Sequence, residues 1–174
     1  VQNAVDSKVD GLALTLVQPE AMKAPVGAAD RAGIPVVAFN SGIDQYKNVG
    51  AMMYFGSDED VAGRAVGERI AAAGATHPLC VIQEQGSVSL EARCKGVLTA
   101  APGTENLQVD GKDIPTVTAT IAAKLQQDPS IDYVVTLGAP IAQAALQSVQ
   151  QSGSAAKVVT FDLNAEVAAR IKDG

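Results

Sequence analysis

The stretch Tyr133-Val134-Val135-Thr136-Leu137, followed by Gly138-Ala139 and then by Pro140 and a helical pattern to position 151, carries the reading that decides the fold. Five residues that are β-branched or apolar almost throughout read as a strand buried on both faces. Pro140 suits a first helical position, where its missing N–H would have no partner anyway, and Gly153 stands where a helix stops. A second apolar run at 158–161 comes next. A strand, a helix and another strand in that order predict two parallel neighbours, because parallel pairing needs a crossover and a helix is the usual one.

The unit repeats in the N-terminal direction. Candidate strands at 11–16, 35–39, 52–55, 79–82 and 107–109 alternate with candidate helices at 19–31, 58–73, 89–100 and 116–127, and a last helix follows at 164–172. Residues 1–9 read as the last turns of another helix. Ser57 ahead of Asp58-Glu59-Asp60 is a helix-start signal, while Gly33 and Gly74 follow helix ends. The expected fold class is α/β, with doubly wound parallel sheets. The connection from 39 to 52 is rich in Gly, Asn and Asp and has no helical periodicity, so it reads as a long loop. With no linker or repeat in view, Phe55-Gly56-Ser57 is the candidate hinge, dividing the chain into 1–57 and 58–174.

Composition narrows the function. Hydrophobic residues make up 47% of the 174 and charged residues 18%, a globular balance, and the net charge of −6 argues against a nucleic-acid partner. No apolar run reaches the roughly 20 residues that cross a bilayer, so the segment itself inserts in no membrane. Enzymatic markers are missing: Gly111-Lys112 leads to Asp113 where a phosphate-binding loop needs Ser or Thr, and neither a Gly-x-Gly-x-x-Gly nor a Gly-x-Ser-x-Gly occurs. His77 is the single histidine and reads as a solvated loop residue before a strand. No metal site and no cofactor are expected, since one histidine and two cysteines do not make a usual zinc site. Cys80 on a strand and Cys94 on the following helix are either a disulfide or two buried free thiols, and both readings stay open.

In open α/β sheets ligands lie beyond the carboxyl ends of the strands. Those positions hold Gln18, Asn40-Ser41, Ser57-Asp58, Gln83-Glu84-Gln85, Gly138-Ala139 and Asp162, with Arg93 from the helix after the fourth strand. Amides, carboxylates and a guanidinium suit a polyhydroxylated ligand, which both donates and accepts. The plainer reading makes the same residues turn formers and caps, with Asp162 ahead of a cap at Asn164 and Arg93 paired to Glu91 or a neighbouring carboxylate.

Taken in order, several pieces resemble the ribose/galactose-type periplasmic binding proteins, the type I solute receptors of sugar ABC importers. They are Val9-Asp10-Gly11 before a strand, Ala32-Gly33-Ile34-Pro35-Val36-Val37, Ser57-Asp58 with Ala62-Gly63 in the helix they open, Arg93 with Gly96, and Val158-Val159-Thr160-Phe161-Asp162. The resemblance implies two lobes closing on a ligand, with 1–57 the later half of the first lobe and 58–174 nearly all of the second. The chain would then be an internal piece of a longer protein, which agrees with an opening that has no Met and a close on the helix-capping run Lys172-Asp173-Gly174.

By position, the resemblance assigns ligand contacts to Asn40, Ser41, Arg93, Gly138 and Asp162, and Glu84 joins them as a candidate from its place at a strand end. It implies a sugar or polyol ligand, a membrane permease as partner, and a periplasmic or otherwise extracytoplasmic setting with lipid anchoring through a preceding segment. Ribose-type receptors carry Asp-Arg where this chain has Asn40-Ser41 and Asn-Asp where it has Gly138-Ala139, which disfavours ribose itself. Two further readings remain: the effector domain of a LacI-type repressor, which shares the fold, and an α/β enzyme acting on a sugar-like substrate.

Overall fold

The computed structural model describes residues 1–173, so the capping role read for Gly174 lies outside the described residues. The chain divides into two compact units, one of Val1–Glu59 with Gly86–Glu91, the other of Asp60–Gln85 with the chain from Ala92 onward.

In the first unit the order is α1 (Gln2–Asp6), β1 (Leu12–Leu14), α2 (Pro19–Arg31), β2 (Val36–Phe39), α3 (Tyr46–Val49) and β3 (Met53–Phe55). The strands form one parallel sheet in the order β1-β2-β3. Leu16, Val26, Ala29, Ile34, Val36 and Ala38 build its core. The 86–91 segment is tied in by Val88, whose N–H donates to the Val17 carbonyl at 3.1 Å.

The turn α3 departs from the sequence expectation of an irregular loop. Four residues are too few to show a helical period. The turn is set by Gly50, whose φ of 100° ends it, and by Val49, which is buried in the core.

The second unit runs α4 (Glu59–Ala72), β4 (Pro78–Ile82), α5 (Val88–Ala100), β5 (Glu105–Gln108), α6 (Ile114–Gln127), β6 (Tyr133–Thr136), α7 (Ala139–Ser152), β7 (Lys157–Thr160) and α8 (Ala165–Asp173), the first residues of α4 and α5 belonging to the other unit. Its parallel sheet has the order β5-β4-β6-β7. Leu79, Val81 and Val134 of the sheet pack with Val117 and Ile121 of α6 and with Ile141 of α7. Strand β5 lies two residues earlier than its apolar run suggested. It is an edge strand of largely exposed residues, so its backbone pairing with β4, and not its hydrophobicity, defines it.

Two glycines explain how α4 and α5 meet. A Cβ on Gly63 would stand 2.1 Å from the Arg93 carbonyl oxygen, and one on Gly96 would stand 2.3 Å from that of Asp60. Only residues without side chains let the two helix backbones come this close. Cys80 and Cys94, both fully buried, form a disulfide with Cα atoms 5.8 Å apart, which settles the alternative left open by the sequence. It fastens α5 to β4.

Candidate functional site

In the second unit the carboxyl ends of β4, β6 and β7 bring Gln83, Gly138 and Asp162 together. Gly138 is the N-cap of α7 and is buried; a Cβ there would lie 3.2 Å from Gln83 Nε2 and 3.8 Å from Asp162 Oδ2. The missing side chain therefore leaves an amide and a carboxylate converging on one small space. Gln83 Oε1 is buried and has no hydrogen-bond partner among the described residues, a state that costs free energy unless something fills it.

Arg93 completes the group from the second turn of α5. Its Nη1 donates to the Leu137 carbonyl at 3.3 Å, and its guanidinium carbon lies 4.9 Å from the centre of the Phe161 ring. The aromatic face and the carbonyl hold the guanidinium plane in a fixed direction. The Arg93 carbonyl is the group against which Gly63 packs, so the close helix contact also fixes the turn that presents this side chain. The Glu91 carboxylate accepts from the Gly86 N–H at 3.2 Å.

Asp162 is exposed, and the cap expected beside it is present: Asn164 Oδ1 accepts from the Val167 N–H at 2.8 Å. Capping is thus done by Asn164, which leaves the Asp162 carboxylate to other partners. Glu84 is exposed on a groove of about 680 Å³ that it lines with Gln85, Gln108, Asp110 and Lys112.

In the first unit, Asn40 is exposed at the end of β2 with φ of 63°, a left-handed conformation that Asn tolerates better than most residues. Its N–H donates to the Phe55 carbonyl at 2.9 Å, which ties the end of β2 to β3. Ser41 behaves differently. It is buried, and its hydroxyl donates to the Leu16 carbonyl at 3.2 Å, joining the ends of β1 and β2.

In the second unit's group, Phe161 had no ligand role in the sequence reading, and Gln83 had one only as a member of the strand-end set. Gln83 stood among the strand-end residues, but its buried, unpartnered oxygen is a property of the packing. Phe161 reads from sequence as the last apolar residue of a strand.

Residues 1–174 match the family model described as periplasmic binding protein domain. The chain belongs to that family. A carbohydrate transporter of Acidothermus cellulolyticus, solved in complex with myo-inositol, is 56% identical with a TM-score of 0.97 over 99% of this chain and 61% of its own. The xylose/arabinose-binding protein XylF of Sulfolobus acidocaldarius is 28% identical over 85% of this chain and 33% of its own length. A periplasmic sugar-binding protein of Legionella pneumophila, at 21% identity and a TM-score of 0.90 over 99% of this chain and 67% of its own, shares the fold. This periplasmic binding protein chain thus spans about a third of the length of XylF and three fifths of the inositol-bound protein. Family membership implies an extracytoplasmic setting, with which the Cys80–Cys94 bond agrees.

Proposed function

We propose that the chain supplies ligand-binding groups of the solute-binding component of an ABC-type sugar importer, and that the ligand is a cyclic polyol or monosaccharide, with myo-inositol the leading choice. The observation that carries this reading is the 56% identity, over nearly the whole chain, to a carbohydrate transporter holding myo-inositol. The donor set agrees with it. Asp162 accepts hydroxyl hydrogens, Arg93 offers paired donors to vicinal oxygens, and Gln83 does both beside the space that Gly138 leaves open.

Asn40 and Glu84 are further ligand contacts by their places at strand ends. Ser41 serves by holding the turn next to Asn40. The units correspond to parts of two lobes, 1–57 and 58–174. The partner is a membrane permease, and tethering through a lipid on a preceding segment fits such a receptor. The buried disulfide favours this reading over a cytosolic effector domain of LacI type.

The test is a thermal-shift screen of the longest chain carrying these 174 residues against inositols, pentoses, hexoses and sugar alcohols. A ligand at 100 times its Kd adds about 2.7 kcal/mol of stability. A selective shift with myo-inositol that Asp162→Ala abolishes, with the mutant's own melting unchanged, is the expected result. No shift with any member, or an equal shift in Asp162→Ala, defeats the proposal.

A further inference from the structure

At the opposite, amino-terminal end of the second unit's strands, three ligating side chains converge that the proposed polyol site does not use. His77 precedes β4, Glu105 opens β5, and Asp128 follows α6. One potential donor atom from each lies within 4.8 Å of the others. His77 is not the freely solvated residue that the sequence suggested, because only 28% of its side chain is exposed and its Nδ1 is 2.7 Å from Ser130 Oγ. From this arrangement we infer a binding site for a divalent transition ion, with Zn²⁺ the best fit.

The hydrogen bonds fix the tautomer. Ser130 Oγ is 2.6 Å from Asp128 Oδ1, and an ionised carboxylate only accepts, so the hydroxyl proton points there. The same oxygen must then accept from His77 Nδ1, which places a ring proton on Nδ1 and makes Nε2 the nitrogen open to an ion. A histidine whose second nitrogen donates into a serine–carboxylate relay is oriented as metal ligands commonly are.

Nε2 lies 3.6 Å from Glu105 Oε2, too far for a hydrogen bond. Two donors each about 2.1 Å from a tetrahedral zinc ion stand roughly 3.4 Å apart, so the gap suits a bridging ion. One oxygen of Asp128 lies within 4.8 Å of the other two donor atoms, which makes it the third candidate ligand, with water completing the shell. A hard ion such as Ca²⁺, which takes six to eight oxygens, finds too few donors here. One cation competes: Lys124 Nζ lies 2.9 Å from Glu105 Oε1. The Asp132 carboxylate close by is engaged with Thr76 and with the His77 N–H.

Because His77 is the single histidine, its ring nitrogens give one unambiguous pair of resonances in the ¹⁵N-labelled chain. Titration with Zn²⁺ in chelator-free buffer, followed by NMR and calorimetry, is expected to show one ion per chain and a displaced Nε2 signal. His77→Gln and Glu105→Gln each weaken binding at least tenfold, Lys124→Met tightens it by removing the competing ammonium, and Ca²⁺ gives no saturable heat. The Lys124→Met gain keeps the test sharp if a weakening variant folds poorly. An unmoved His77 resonance, or Zn²⁺ binding that His77→Gln leaves unchanged, overturns the inference.

Discussion

Strands β6 and β3 are both short, apolar and parallel to their neighbours, yet they end in different surroundings. Tyr133–Thr136 of β6 is buried at every position, between two partner strands and under α6 and α7. Met53–Phe55 of β3 lies at a sheet edge, with Met53 51% and Phe55 58% exposed. Phe39, paired in register with Phe55, is 42% exposed on the same sheet. Strand composition sets the tendency to pair, but the helices laid over a sheet decide whether its apolar face is dry. The second unit closes its own core; the first leaves an apolar face open within this chain, a feature that marks contact surfaces.

That contrast predicts the slowest amide exchange in β4 and β6, and it can be broken from the second unit outward. The largest effect belongs to Gly96→Val, which forces a side chain between helix backbones already in contact. A loss of about 3 kcal/mol or more is expected, confined to the second unit. Hydrogen exchange that loosens the first unit equally would contradict the division. Replacing the disulfide in Cys80→Ala/Cys94→Ala comes next, at about 3 kcal/mol for a loop of this size, read from denaturant midpoints. An unchanged midpoint would show that packing alone holds α5 on β4.

The smallest effect concerns Asp132. Burial pushes its pKa up, but hydrogen bonds from the Thr76 N–H and hydroxyl and from the His77 N–H outweigh that and lower it. A depressed carboxylate adds stability that is present above the unfolded value near 4 and is lost as pH falls through the lower folded one. Asp132→Asn should therefore cost about 1 kcal/mol at neutral pH, the contact being partly open to water, and flatten the acid limb of the stability curve. An acid limb as steep in the mutant as in the wild type would assign it to other groups.

Much of the architecture was legible because period and punctuation agreed. Helix α2 spans the expected residues, and Gly33, Gly74 and Gly153 take the left-handed conformation that helix ends favour. The one-turn α3 escaped and the start of the polar edge strand β5 was read two residues late, since neither carries a full apolar period. The site was legible as a list of strand-end residues and not as a geometry. Nothing in the sequence distinguishes Ser41, buried with its hydroxyl bound to the Leu16 carbonyl, from Asn40, which is exposed. Gly63 and Gly96 stood out as family-like pieces, but their meaning is a contact between two backbones, which no local pattern encodes.

The most direct test of the central claim is hydrogen exchange of the protein with and without myo-inositol. Protection gathered at Gln83, at Leu137-Gly138 and at Phe161-Asp162, and lost in Asp162→Ala, is the outcome expected of a polyol site at the strand ends. Binding with no protection at those three strand ends would contradict it.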